Sequence, residues 1–245
     1  MKDYGLAELE ETDLLHKLAR ARQDLDDFVY IVSHDLKAPL RAIDSLAEWI
    51  AADYADRIDE DGQEMLTLLV NRTRRLHHML DGLLQYSRVG RIVEQKTELD
   101  LAQFVPGIFN KLDHDETIEL LIQTELPVIW ADQTRIEQIF ENLLSNAVRS
   151  IDKPEGKIEV RCLEAGKYWE FRVIDNGVGI EEKQFAQIFQ IFQTLQPRDE
   201  GEENGVGLAL VKKIIETYGG QIWVESQPGR GSSFHFTYPK HDIES

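Results

Sequence analysis

His34 lies on a stretch of helical periodicity, is followed at once by Asp35, and stands five residues before Pro39. Neutral imidazole offers one nucleophilic nitrogen, and a carboxylate that accepts the other ring N–H fixes the tautomer and raises the nucleophilicity. Adjacent residues do not share a helix face, so contact between His34 and Asp35 depends on their rotamers. A proline inside a helix cannot donate to the carbonyl four residues back, here that of Asp35, and its ring crowds that carbonyl. A kink is therefore expected just beyond the histidine. Counted from Val32 in the apolar seam, His34 falls on the outward side, where a core-filling histidine is not expected. The plain alternative is a histidine of the solvated surface.

A second group of residues lies far along the chain. In the helix predicted from Asp132 to Ser150, Ile136, Ile139, Phe140, Leu143, Leu144 and Ala147 form one face, and Gln138, Asn142, Ser145, Asn146 and Arg149 lie on the other. The amides of Asn142 and Asn146 are one turn apart, and an amide oxygen is a hard neutral donor suited to magnesium. A solvated helix face is the competing reading. Beyond it, Val173-Ile174-Asp175-Asn176-Gly177-Val178-Gly179-Ile180 reads as a strand running into a glycine turn. Such glycines let the backbone approach a planar ligand, and a carboxylate at the strand end can accept from an exocyclic amine. Gly205-Val206-Gly207 opens a helix from Leu208, where free amides and the helix dipole suit phosphate. Gly229-Arg230-Gly231-Ser232-Ser233-Phe234 makes a third turn. Taken singly, each of these is an ordinary turn.

The elements that must carry these residues fall into two parts. Leu14, Leu18, Ala21, Leu25, Phe28 and Val32 alternate in steps of four and three, as do Leu66, Leu69, Thr73, Leu76, Leu80 and Leu83 after the polar break at 53–62. That spacing is a coiled-coil seam. A helical hairpin so built leaves a seam exposed, and pairing of two chains into a dimeric four-helix bundle covers it. An inert coiled-coil spacer is the alternative on periodicity alone. From about Arg91, strands alternate with helices: helices over 101–112, 136–148 and 206–218, strands over 117–123, 157–163, 168–174, 221–226 and 232–238. The pattern predicts an α+β chain, in which residues 1–91 form the bundle and 92–245 an α/β sandwich with one face of its sheet covered. Residues 193–204 have few apolar anchors and read as a mobile loop.

Composition narrows the function classes. Lys and Arg number 27 against 45 Asp and Glu, a net charge of −18, so the chain as a whole repels nucleic acid and anionic membranes. The 42% apolar content is enough to bury a core. The single cysteine, Cys162, permits no internal disulfide and no Cys-based zinc site, which fits a reducing compartment. No apolar run reaches the length of a membrane span. A soluble, cytoplasmic segment without membrane contact is expected, one that could have been cut from a longer membrane-tethered protein.

Order and spacing together say more than any single motif. An Asn-x-x-x-Asn helix, then DNGVGI, then IFQIF, then GVGLAL entering a helix, then GRGSSF, resembles the N, G1, F, G2 and G3 boxes of the sensor histidine kinase catalytic domain. Ser33-His34-Asp35-Leu36-Lys37-Ala38-Pro39-Leu40 resembles the phosphoacceptor H box of the same family, and DGLLQYSRVGR at 81–91 is also similar to it. The resemblance covers roughly residues 15–240 and rests on six motifs in order. It implies ATP-dependent autophosphorylation of His34, transfer to an aspartate on the receiver domain of a response regulator, a homodimer, and an upstream sensor lying outside this segment. By the same resemblance Asp35 is the acid/base partner, Asn146 the Mg2+ ligand with Asn142 nearby, and Arg149 a phosphate contact. Asp175 would read the adenine amine, with Gly177, Gly179, Gly205 and Gly207 shaping the ATP pocket, and Arg198 would meet the γ-phosphate from the loop. Three positions depart from the family pattern: Ala209 for a glycine, Arg149 for a lysine, and Ala38 where relatives that dephosphorylate their regulators carry Thr or Asn. Weak regulator phosphatase activity is the expectation. The rivals are a related ATPase of the chaperone, gyrase or mismatch-repair type and a non-catalytic nucleotide-binding dimeric scaffold. Asn142 stands where such ATPases place the glutamate that activates water, and His34 opposes the scaffold.

Overall fold

The computed structural model describes residues 2–54, 57–90, 95–194 and 205–240, with only part of the side chains before residue 29. The chain divides into two compact units, Met1–Arg88 and Val89–Ser245. Each is described by itself.

The first unit is a hairpin of two long helices, α1 (Lys2–Asp53) and α2 (Glu60–Arg88). Asp59 starts α2 by accepting from the Gly62 amide at 2.9 Å, which satisfies one of the donors left open at a helix N-terminus. Helix α1 runs on through Pro39, which leaves the Asp35 carbonyl without its usual donor. The helices are joined by an ion pair between Lys37 and Asp81, by Arg74 donating to Glu48 at 3.1 Å, and by the Arg88 guanidinium over the Tyr30 ring at 5.6 Å. Ser33, Ala47, Thr73, Leu84 and Ser87 are buried here. The seam read on α2 is split by the hairpin: Thr73 is buried, whereas Leu69 and Leu76 are exposed in the single chain. Leu36, Ile43 and Ile50, spaced by seven on α1, are also exposed. Leu14, Leu18, Ala21, Leu25 and Phe28 fall among the side chains outside the described set, and Val32 is half-buried.

The second unit begins with a two-stranded antiparallel ribbon of β1 (Thr97–Asp100) and β3 (Val128–Ala131). Its main sheet runs in the order β2-β4-β5-β7-β6, from β2 (Ile118–Ile122), β4 (Gly156–Ala165), β5 (Tyr168–Asp175), β6 (Ile222–Gln227) and β7 (Gly231–Pro239). Strands β2 and β4 are parallel and the other pairings antiparallel. One face carries α4 (Gln133–Ser150) and α5 (Gly207–Thr217), with α3 (Leu101–Phe109) beside α4. Alternation along β5 and β7 sends Phe171, Val173, Phe234 and Phe236 under the helices. Phe140 of α4 meets Phe171 and Phe236 edge-on, with centroids 5.9 and 5.7 Å away, an arrangement worth about 0.5–1.5 kcal/mol per pair beyond the area it buries. The opposite face carries charges, among them Glu159 with Arg161 and Glu170 with Arg172. Ribbon strands β1 and β3 are absent from the sequence reading above because each is four residues long, too short for alternation to register.

Buried Asp132 fixes the start of α4. One carboxylate oxygen caps the helix by accepting from the Arg135 amide at 3.1 Å, and the other accepts from the Tyr218 hydroxyl at 3.2 Å beyond the end of α5. The polar face of α4 is thereby set against the turn after β5 and the start of α5.

Candidate active site

In the helical unit, His34 and Asp35 project into solvent, their side chains each 73% exposed. His34 Nδ1 is 3.2 Å from Asp35 Oδ1. The rotamers that sequence could not supply are therefore the ones that bring the pair together. With Nδ1–H donated to the carboxylate, Nε2 carries the free lone pair.

In the second unit, a cavity of about 350 Å³ is walled by α4, by the turn after β5, by the start of α5 and by the turn before β7. Of the residues singled out in sequence, Asn146, Arg149 and Gly179 line it directly. The Arg149 guanidinium also donates to Ser145 Oγ at 3.2 Å. Asn142, one turn from Asn146, spends its amide N–H on the Gln138 carbonyl at 2.7 Å, and its oxygen stands where a Cβ on Gly207 would run into it. Gly205 packs against the backbone of Phe192 and Gln193. Arg198 and residues 195–204 of the predicted loop lie outside the described residues.

Asp175 is only 4% exposed. Its Oδ1 accepts from the amides of Gly177 at 2.9 Å and Ser232 at 3.2 Å. Its Oδ2 is buried without a hydrogen bond. The adjacent Ser150 hydroxyl sends its proton to the Ala147 carbonyl at 2.8 Å instead. Burial pushes the Asp175 carboxyl up, opposed by the Gly177 amide, by the nearby Ser150 hydroxyl and the Ser232 amide, and by the charge of Lys153. A buried acceptor short of one donor, beside Ser150 and Ser232 of the cavity wall, is equipped to take an N–H from a ligand.

Two glycines make the turn possible. Gly179 has φ +73°, and a Cβ there would run into the Gln227 carbonyl; a Cβ on Gly177 would meet the carbonyl and hydroxyl of Ser150. Sequence reasoning assigned no role to Ser150, Ser232 or Lys153. Strand period was the available signal for Ser232, since it shares the inward face of β7 with Phe234 and Phe236.

Comparison with known proteins adds the decisive observation. Residues 24–91 match the model of the His Kinase A (phospho-acceptor) domain, and residues 131–242 match that of the histidine kinase-, DNA gyrase B- and HSP90-like ATPase. The chain belongs to the sensor histidine kinase family. It is 41% identical over 226 residues to cyanobacterial phytochrome B of Nostoc sp., covering 90% of this chain and 30% of that protein. With phytochrome-like protein Cph1 of Synechocystis sp. the identity is 35% over 232 residues, covering 94% and 31%. This sensor histidine kinase segment thus spans about a third of the length of those curated relatives. Its fold is shared with full-length ShkA solved with AMPPNP, with TM-score 0.66, 23% identity, and 89% of this chain and 47% of that one covered. Histidine kinase ThkA, solved in complex with the response regulator protein TrrA, gives TM-score 0.61 at 23% identity, covering 92% and 66%. Among the described residues no helix is long and apolar enough to cross a membrane.

Proposed function

We propose that this chain phosphorylates itself on His34 from ATP and passes the phosphoryl group to an aspartate of a response regulator. The observation that carries the reading is the exposed His34, its Nδ1 held by Asp35 at 3.2 Å, in a chain that also holds a cavity walled by Asn146, Arg149 and Ser232, with Asp175 buried behind Ser232.

The cavity suits an adenine nucleotide. Asp175 accepts from the exocyclic amine through its unsatisfied Oδ2, and Gly177 and Gly179 keep the floor low enough for a planar base. Arg149, and Arg198 by resemblance, meet phosphate oxygens; Gly205 and Gly207 frame the start of α5 on the phosphate side. The amide oxygen of Asn146, with Asn142 one turn behind it, is a hard donor on the cavity wall and fits Mg2+, which neutralises phosphate charge when bound.

Phosphorylation needs little covalent chemistry from the protein beyond the nucleophile. His34 Nε2 gives its lone pair to the γ-phosphorus as the bond to the bridging oxygen breaks, and ADP carries away that electron pair. Asp35 accepts the Nδ1–H hydrogen bond at the outset and takes that proton as positive charge builds on the ring, leaving a neutral phosphoimidazole. Leu36, Ile43 and Ile50, exposed and seven apart on α1, are the face through which a second copy completes a four-helix homodimer.

Radiolabelled ATP with wild type and His34→Ala tests the reading. Acid-labile label on the wild type alone supports it. Steady phosphate release without labelled protein indicates a hydrolase, and nucleotide binding without either product indicates a scaffold.

A further inference from the structure

We infer that Lys153 is a positioning residue of the nucleotide cavity, its ammonium bridging the carbonyls of Asn176 and Gly229 and so fastening together the two turns that wall the site. This rests on the nucleotide reading of that cavity, and no motif named above includes Lys153.

Lys153 lies on the loop between α4 and β4, away from the cavity lining. Its Nζ donates to the Asn176 carbonyl at 2.6 Å and reaches the Gly229 carbonyl at 3.4 Å. Asn176 follows Asp175, while Gly229 adjoins Pro228 of the opposite wall. The turns already meet once through the backbone, where the Gly229 amide donates to the Val178 carbonyl at 2.7 Å. Lys153 adds a second, charged tie on their outer side. Asn176 returns the connection to the same loop: its Nδ2 donates to the Glu155 carbonyl, and its Oδ1 accepts from the Lys157 amide, both at 2.9 Å. One ammonium thus ties the α4–β4 loop, the base-reading turn and the turn before β7.

The same charge acts on Asp175. Around that carboxyl lie the Gly177 amide on its own turn, the Ser150 hydroxyl of α4 and the Ser232 amide of β7, all uncharged, with apolar Ile158 opposite it on β4. Lys153 is the cation that opposes the upward push of burial. Its removal loosens the two turns and raises the Asp175 carboxyl further, so a proton competes for the acceptor at higher pH.

Lys153→Met and Lys153→Arg separate this from a surface effect. ATP with magnesium chloride is titrated into each protein at several pH values between 5.5 and 8, and the Asp175 carboxyl is followed by carbon NMR without nucleotide. Lys153→Met is expected to bind ATP roughly three- to tenfold more weakly at neutral pH, the reach of one solvent-screened charge-assisted bond. Its affinity should also fall off at higher pH than in wild type, and the Asp175 midpoint should move up. Lys153→Arg should restore both. A Lys153→Met protein with wild-type affinity, or one whose weakening is parallel at all pH values and unrescued by arginine, overturns the proposal. Wild type that binds no ATP brings down the nucleotide reading itself, whereas wild-type binding with an unmoved Asp175 midpoint in Lys153→Met brings down only the clamp.

Discussion

His34 and Asp35 are consecutive residues of α1, about 100° apart around the helix axis, yet His34 Nδ1 lies 3.2 Å from Asp35 Oδ1. The carboxylate selects the tautomer with Nε2 unprotonated and exposed. Asp35→Asn keeps an oxygen for the same contact and removes the charge that balances the ring as phosphate is transferred. Its autophosphorylation rate should fall by roughly a hundredfold or more, with ATP affinity unchanged; initial rates of label incorporation check this. His34→Gln should abolish the acid-labile label and leave ATP binding and the dimer intact, and substantial label remaining would defeat the assignment.

In the proposed nucleotide site, the buried Asp175 carboxyl sets stability against binding. Asp175→Asn puts a donor where the adenine amine needs an acceptor, at a cost of about 1.5–3 kcal/mol, or roughly ten- to a hundredfold in Kd by calorimetry. The folded carboxyl titrates above its unfolded value. The folded state therefore binds more protons in that window, and stability is lost as pH rises through it. The unliganded Asp175→Asn protein should melt a few degrees higher than wild type at pH 7.5, and the gap should close as pH falls toward the ordinary carboxylate range. A mutant with wild-type Kd removes Asp175 from the site.

Leu36, Ile43 and Ile50 present one exposed apolar line on α1 among the described residues. Ile43→Asp places a charge at its centre, and burying that charge unpaired costs several kcal/mol. Light scattering after size exclusion should show monomer for Ile43→Asp and dimer for wild type, while ATP binding survives. A dimeric Ile43→Asp protein with wild-type stability would move the interface elsewhere.

Position 38 bears on whether the chain also dephosphorylates its regulator. Removing phosphate from an aspartyl phosphate needs a water held in line, and exposed Ala38, one turn past His34, offers only a methyl group. Unphosphorylated kinase with ADP should barely shorten the lifetime of a phosphorylated regulator. Ala38→Thr or Ala38→Asn should shorten it. Rapid stripping by wild type without return of phosphate to His34 would show that another group orients the water.

Local pattern was enough for the long elements. The apolar period of α4 separates Ile136, Phe140 and Leu143 from Asn142 and Asn146, and alternation along β5 and β7 marks their buried face, because each signal repeats over many residues within one element. The ribbon of β1 and β3 escaped that reading, since four-residue strands are made by a partner some thirty positions away rather than by their own period. Side-chain commitments escaped it too. Periodicity alone puts Asn142 and Asn146 one turn apart on the same polar face, while the fold spends the Asn142 amide on Gln138 and leaves Asn146 on the cavity wall. Only tertiary structure brings Ser150, Lys153 and Ser232 to Asp175, across as many as 57 positions of chain. The reason is physical: periodicity reports which way a residue faces from its own element, whereas the satisfaction of a buried carboxylate depends on which donors other elements deliver to it.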